Sequence, residues 1–195
     1  MKYFAVTPDD LNPARLINCL QALKKKSVTH LYLRAQSLHA ELEQLIDLIR
    51  HHAILPIIPR NVYQTAFESA CGIHTRSDEV FNTNLHSGAR VQTASCHTAQ
   101  TACTLLDKGA NYVFISPVYR PFSKSGDLRP LIEHNDLRKL SKHYGERIVL
   151  LGGLTPVRIK ELHGMLSTDF SVAGISMFFN TGTTHEQNSN TNIHQ

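Results

Sequence analysis

The sequence lacks three features: paired cysteines, a basic cluster interleaved with aromatic residues, and a long apolar run. Its four cysteines form no C-x-x-C pair and no metal-like spacing with histidine, which is typical of reduced, buried thiols. The Lys24-Lys25-Lys26 run ends a predicted helix and complements its dipole, so nucleic-acid binding is disfavoured. No apolar stretch approaches the ~18 residues of a membrane span, and no signal peptide precedes the first predicted strand. We therefore expect a cytoplasmic protein that binds neither nucleic acid nor membrane.

A fourth absence concerns nucleotide-binding motifs, since no G-x-G-x-x-G or P-loop follows the first predicted strand. This absence disfavours an open, doubly wound sheet, which is the alternative architecture. Short apolar runs instead alternate with helical patterns about every 25 residues, which predicts a compact (β/α)8 TIM barrel over residues 1–180. The 195-residue chain is short for this fold, so we expect abbreviated βα units near strand 4. The predicted strands are Lys2–Thr7, His30–Arg34, Leu55–Pro59, Gly72–Thr75, Arg90–Ala94, Tyr112–Ser116, Ile148–Leu151 and Phe170–Ile175.

Capping residues and glycines mark the predicted helices between these strands. A cap at Asn12 with Pro13 behind it opens the first helix, and Ser37 caps the second. Thr98 caps a later helix that ends at Lys108-Gly109. The remaining predicted helices are Asn61–Ser69, Asn135–Tyr144, the stretch from Thr155-Pro156 to Leu166, and a short last one at Ser176–Phe179. A weak polar segment covers Val80–Gly88, and residues 181–195 form a polar tail that we expect to be disordered.

Two strand ends carry the pattern of a phosphate site. The sixth predicted strand runs into a long polar loop that contains Ser123 and Lys124. The seventh stops at Gly152-Gly153, directly before a helix start, where backbone N–H groups point at a bound anion. In a barrel, loops seven and eight usually hold phosphate, and Ile175-Ser176 falls on loop eight. These positions predict a phosphorylated small-molecule ligand at the carboxyl ends of the strands.

Five blocks in order and spacing resemble the thiamine phosphate synthase family and its thiazole tautomerase relatives, over roughly residues 2–179. They are Leu31-Tyr32-Leu33-Arg34; Gly72-Ile73-His74; Ser95-Cys96-His97; Gly109-Ala110-Asn111-Tyr112 through Ser116-Pro117-Val118-Tyr119 to Ser123-Lys124; and Gly152-Gly153-Leu154 with Val172-Ala173-Gly174-Ile175-Ser176. The resemblance implies a transferase that joins hydroxymethylpyrimidine diphosphate to thiazole phosphate and releases pyrophosphate. It also implies a dissociative mechanism, in which a pyrimidine cation forms before the thiazole nitrogen captures it.

The resemblance implies roles for individual residues. Arg34, Lys124 and Ser95 would act in catalysis by holding the departing diphosphate, with Ser123 as a neighbouring donor. The backbone N–H groups around Gly152, Gly153, Ile175 and Ser176 would hold the thiazole phosphate. His74 and His97 are either pocket residues or hydrogen-bonded packing histidines. Barrels of the family are often dimers, so a homodimer is the corresponding expectation for this chain.

This sequence departs from the family pattern at the expected magnesium site. The third strand normally ends in Asn-Asp, whereas Arg60-Asn61 stands here, and the second aspartate falls at Glu79, or at Asp78 with a shift of one. We therefore expect Mg2+ to bind weakly through Asn61 and Glu79, with Arg60 as a substitute contact to the diphosphate. Two further departures are Gln36 for the usual lysine and Tyr32 for the usual glutamine. Pro117 stands where the tautomerases have their catalytic histidine, which disfavours tautomerase activity by that residue.

Several alternatives remain open from the sequence. Arg34 either binds a ligand or pairs with a carboxylate at the barrel rim, and Lys124 is either a phosphate contact or a solvated lysine. Gly152-Gly153 is either an anion site or only a tight turn, and Glu79 is either a metal ligand or an exposed carboxylate. Three functions follow: a divergent synthase, a different enzyme acting on a single phosphate such as a tautomerase-like one, or a relative that binds a phosphate ligand without turnover.

Overall fold

Eight parallel strands close into a barrel in the computed structural model, which describes residues 1–64, 67, 69–79, 88–120, 128–166 and 168–179. Each strand pairs with the next along the chain, and the eighth pairs back with the first. The predicted (β/α)8 barrel is therefore confirmed. The strands are β1 (Tyr3–Val6), β2 (Val28–Tyr32), β3 (Leu55–Pro59), β4 (Gly72–Thr75), β5 (Gln92–Cys96), β6 (Tyr112–Ile115), β7 (Ile148–Leu150) and β8 (Ser171–Gly174).

Five α-helices lie among the described residues and cover the outside of the barrel. They are α1 (Pro13–Lys25), α2 (Leu42–His51), α3 (Ala99–Asp107), α4 (His134–Tyr144) and α5 (Pro156–Leu166). Within the same described residues, no helix has both the length and the apolar character that a membrane crossing requires. Short 3₁₀ turns add Gln36–Glu41, Arg60–Val62 and Gly145–Arg147.

Local signals explain where the helices begin and end. The side chain of Asn12 accepts a hydrogen bond from the backbone N–H of Arg15 at 2.9 Å, and Pro13 occupies the first turn, as predicted. Thr98 caps α3 through the N–H of Thr101, and Gly109 follows that helix with a φ of 97°. The predicted caps of α1 and α3 are therefore confirmed.

The core has an inner part inside the barrel and an outer part between strands and helices. Inside, Phe4 meets the ring of Phe114 edge to face at 5.3 Å, and the ring of His30 stacks on Phe4 at 4.2 Å. The other buried inner side chains are Val6, Tyr32, Ile57, Val91, Val149 and Ala173. Because these side chains fill the interior, a small-molecule site is confined to an end of the barrel.

Two strands differ from the prediction by two residues. β2 spans Val28–Tyr32 because Val28 pairs with Tyr3 of β1, and β5 spans Gln92–Cys96 because Cys96 pairs with Ile115 of β6. The first and last residues of these two strands are thus set by pairing with a neighbouring strand, and they differ from the bounds that the apolar run suggested. As a result, Arg34 lies two residues beyond its strand.

Two predicted helix features are wrong. Ser37 does not cap α2, because its hydroxyl donates to the carbonyl of Leu11 and a 3₁₀ turn comes first. After β3 the chain makes only the 3₁₀ turn Arg60–Val62 before Tyr63 becomes extended, so the helix predicted at Asn61–Ser69 does not form as one element. Residues 65, 66, 68, 80–87 and 180–195 lie outside the described residues, so the polar segment and the tail stay predictions.

Candidate functional site

A cavity of about 620 Å3 opens at the carboxyl end of the barrel, where the loops after the strands meet. The strand ends bring together side chains that are far apart in the sequence. The sequence-predicted site residues among its lining are Arg34, Asn61, His74, Glu79, Ser95 and His97. Arg60 is half-buried in the turn after β3 and is not among the lining residues.

Aromatic rings form the floor of this cavity. The ring of His74 lies 4.4 Å from that of Tyr32 and 5.1 Å, edge to face, from that of Phe114. Burial raises the pKa of Tyr32 to about 12, so its phenol stays protonated at neutral pH. Flat rings and a protonated hydroxyl suit a planar aromatic ligand with polar edges.

His74 is both a packing residue and part of the cavity lining. Its Nδ1 lies 2.8 Å from the hydroxyl of Thr93, and that hydroxyl donates to the carbonyl of Ile73. Because the single hydroxyl hydrogen is used in this way, Nδ1–H of His74 is the donor, and Nε2 carries a lone pair. Burial lowers the pKa of His74 to about 3, so the ring is uncharged at neutral pH.

Arg34 pairs with a carboxylate at the barrel rim, which is one of the two roles that the sequence left open, and its role as a ligand contact stays a prediction. Its Nη2 lies 2.8 Å from a carboxylate oxygen of Asp9 at the rim, and the residue also lines the cavity. The backbone N–H of Arg34 donates to the hydroxyl of Thr7, which holds the start of this loop against β1. The side chain is 29 % exposed, and its Nε is buried without a hydrogen-bond partner among the described residues. A buried donor without a partner is costly, and the partly exposed guanidinium of Arg34 can donate to a ligand oxygen.

Two further arginines, which were not predicted from the sequence, also line the cavity. Arg76 follows β4 and lies 3.3 Å from a carboxylate oxygen of Asp78 through its Nε. Arg129 comes from the far end of the segment after β6. The position of Arg76, just beyond a strand end like that of Arg34, was a usable signal. Arg129 has no such signal, because a loop residue distant from its strand can reach many places.

His97 links three of the loops around the cavity. Its Nδ1 lies 2.7 Å from the carbonyl oxygen of Ser116, which only accepts hydrogen bonds, so Nδ1 carries the hydrogen. Nε2 therefore accepts, and it lies 3.1 Å from Nη1 of Arg129 and 3.3 Å from the hydroxyl of Ser77. This ring holds the loops after β4, β5 and β6 together at the rim.

The expected magnesium ligands line the cavity but form a poor donor set. Asn61 is exposed and offers only a neutral amide oxygen. One carboxylate oxygen of Glu79 accepts the backbone N–H of Arg76 at 2.8 Å, and Asp78 is paired with the same arginine. Within the part of the chain that the structure describes, no three His, Cys, Asp or Glu residues come together in a group that could hold a metal ion. These residues fit Mg2+ poorly, because Mg2+ in phosphate sites is held by one or two carboxylates, and the carboxylate of Glu79 already accepts a backbone hydrogen bond.

The glycine pair after β7 packs as a tight turn against the segment after β6. Gly152 and Gly153 have φ values of 104° and 60°, and the N–H of Tyr119 donates to the carbonyl of Gly152 at 3.1 Å. A Cβ on Gly153 would lie 2.5 Å from the carbonyl oxygen of Arg120, so only glycine fits. Neither glycine, nor Ile175, nor the exposed Ser176, is among the residues that line the cavity, and their role toward phosphate stays a prediction. Ser123 and Lys124 lie outside the described residues.

Comparison with known proteins gives one family and several related folds. The family described as thiamine monophosphate synthase matches residues 3–179 of the chain. Among solved structures, thiamine phosphate pyrophosphorylase from Pyrococcus furiosus has a TM-score of 0.68 at 18 % identity, covering 90 % of this chain and 85 % of that one. Thiamine phosphate pyrophosphorylase from Bacteroides thetaiotaomicron has a TM-score of 0.67 at 19 % identity, covering 96 % of this chain and 89 % of that one.

The same barrel occurs with another substrate. N-acetylmannosamine-6-phosphate 2-epimerase from Clostridium perfringens has a TM-score of 0.60 at 16 % identity, covering 91 % of this chain and 87 % of that one. At such identities the structures show the fold alone. A comparison with curated proteins gave no match.

Proposed function

This chain belongs to the thiamine monophosphate synthase family, and from that premise we propose that it joins hydroxymethylpyrimidine diphosphate to thiazole phosphate with release of pyrophosphate. The observation that supports this proposal is the cavity at the carboxyl end of the barrel. It combines a floor of aromatic rings with three arginines, Arg34, Arg76 and Arg129. An aromatic floor suits a pyrimidine, and guanidinium groups suit a diphosphate.

The proposed reaction breaks one bond and forms another. The C–O bond between the pyrimidine methylene and the diphosphate breaks, and the electron pair leaves with pyrophosphate. The lone pair of the thiazole nitrogen then forms a C–N bond to the resulting pyrimidine cation. Such a step needs donors that stabilise the departing oxyanion and a pocket that orients the nucleophile.

The described residues of the cavity offer most of their hydrogen-bond donors to the diphosphate leaving group. Arg34 has a buried Nε with no hydrogen-bond partner among the described residues, and Ser95 offers a hydroxyl at the end of β5. We assign both to the diphosphate, together with Lys124 and Ser123 from the loop outside the described residues. Each of these contacts strengthens as negative charge builds up on the departing oxygen.

The floor of the cavity suits the cationic intermediate. The low pKa of His74 keeps its ring neutral, so the floor adds no positive charge next to the pyrimidine cation. Tyr32 and Phe114 line the cavity, and aromatic rings attract a nearby cation through their quadrupoles. The floor therefore stabilises the cation after the diphosphate has left.

A second function is favoured by one observation. The poor metal-donor set at Asn61 and Glu79 is consistent with a relative that binds a phosphate ester without synthase turnover, or that acts on a single phosphate as the tautomerases do. The buried Pro117 lies at the position of the tautomerase histidine, so a tautomerase activity would need another proton-transfer residue.

The test is a coupled assay for thiamine phosphate. The purified chain receives hydroxymethylpyrimidine diphosphate and thiazole phosphate, once with Mg2+ and once with EDTA. Product formation above a blank without protein supports the synthase in either condition. No product from a protein that melts cooperatively overturns the synthase proposal and favours the second function. Sedimentation of the same sample tests the expected homodimer.

A further inference from the structure

Three arginines line the cavity, and each comes from a different loop. Arg34 follows β2, Arg76 follows β4, and Arg129 comes from the segment after β6. Each is fixed by a neighbour: Arg34 by Asp9, Arg76 by Asp78, and Arg129 by the ring of His97. A guanidinium has five N–H donors in a planar fork, so it can contact a neighbouring side chain and a ligand oxygen at the same time.

The carboxylates of the cavity are already engaged by the same arginines. Asp9 pairs with the side chain of Arg34, and Glu79 accepts the backbone N–H of Arg76. A carboxylate held in this way orients the cation-bearing loop, and it has less freedom to coordinate a metal. The two carboxylates therefore hold Arg34 and Arg76 in place, Asp9 through the side chain of Arg34 and Glu79 through the backbone of Arg76.

A divalent cation at this rim would compete with Arg76. The turn that carries Glu79 also carries Arg76, only three residues earlier, and Asn61 brings no charge to balance a second cation. Like charges within a few ångströms repel, and the carboxylate of Glu79, which could offset this repulsion for Mg2+, already accepts a hydrogen bond. Direct binding of an anion to the arginines avoids this conflict.

We propose that the chain holds the diphosphate of its substrate directly through Arg34, Arg76 and Arg129, with no divalent cation between protein and anion. The identity of the anion as a substrate diphosphate rests on the proposed function. The mode of binding rests on the three loops and their anchors. The planar guanidinium fork meets two phosphate oxygens at once, so three forks from three sides enclose both phosphoryl groups.

The test measures binding of inorganic pyrophosphate by calorimetry, in EDTA and in excess Mg2+. The expected result is tight binding in EDTA, within about threefold of the affinity in Mg2+. Arg76→Gln and Arg129→Gln should each weaken binding in EDTA by about tenfold, as the loss of a charged contact to phosphate does. Arg50→Gln is the matched control, since it removes the same charge from α2, away from the cavity, and should bind like the unmodified chain.

Two results would overturn the proposal. One is pyrophosphate binding that requires Mg2+, and the other is an Arg76→Gln variant that melts normally and binds pyrophosphate as well as the unmodified chain. This test is separate from that of the synthase. Pyrophosphate binding in EDTA without product in the coupled assay supports the binding mode and rejects the synthase. Product formation and pyrophosphate binding that both depend on Mg2+ support the synthase and reject the binding mode.

Discussion

Nε2 of His97 lies 3.1 Å from Nη1 of Arg129, across the gap between the loop after β5 and the segment after β6. The same ring donates through Nδ1 to the carbonyl of Ser116, so its orientation is fixed before it meets the arginine. The position of Arg129 in the cavity therefore depends on a residue from another loop, and this dependence is measurable.

We predict that His97 and Arg129 are energetically coupled in anion binding. His97→Gln, Arg129→Gln and the double variant form a cycle in which pyrophosphate affinity is measured. Because the ring positions the guanidinium, the double variant should lose less than the sum of the single losses, with a coupling of about 1 kcal/mol. Additive losses would show that the two residues act independently.

Arg34 is expected to contribute more to turnover than its rim partner. Arg34→Gln removes a charged donor whose Nε is buried in the cavity wall, and should lower kcat/KM by about 30-fold, or ~2 kcal/mol. Asp9→Asn keeps the guanidinium and weakens only its anchor, so its effect should be several-fold smaller. Steady-state kinetics of both variants give the comparison, and equal losses would contradict a direct role of Arg34.

His30 should make the fold less stable in acid. Burial, with a further contribution from Lys2, lowers the pKa of His30 from its ordinary 6.5 to about 4 in the folded chain. The unfolded chain therefore binds a proton below about pH 6.5, whereas the folded chain does so only near pH 4, and stability falls across that window. Between about pH 7.5 and pH 5, this single group lowers the free energy of unfolding by about 2 kcal/mol.

The measurement is urea unfolding of the chain and of His30→Phe at both pH values. The variant has no titrating group at this position, so its loss of stability between the two pH values should be about 2 kcal/mol smaller. Absolute stabilities of the two proteins do not enter this comparison. An identical pH dependence for both proteins would show that His30 is not the cause.

Two glycines should respond in opposite directions to alanine. Gly153→Ala places a Cβ 2.5 Å from the carbonyl oxygen of Arg120 at a φ of 60°, and should cost about 3 kcal/mol of unfolding free energy. Gly164→Ala lies in α5 with nothing within 4 Å of the new Cβ, and should stabilise the chain by up to about 1 kcal/mol. Thermal melts of both variants test this, and a tolerated Gly153→Ala would contradict the tight-turn packing.

The eight strands and the caps at Asn12 and Thr98 were predictable because their signals are local. The exact span of β2 was not, since the pairing of Val28 with Tyr3 depends on a strand elsewhere in the chain. The same distinction holds at the site. Arg34, His74 and Ser95 follow from strand ends, whereas Arg129 reaches the cavity through the path of a long segment, which no local pattern records.

The arginines and their anchors stand on loops, while the hydrogen bonds that close the barrel run between strands. The residues proposed to bind the ligand thus lie outside the strand pairs that close the barrel. Among the described residues, the strand pairs of β2, β4 and β6 include none of the three arginines, so the segments that carry them could be exchanged while the barrel is kept. Loops with paired carboxylates in place of the guanidinium groups would then make this barrel a receptor for cations.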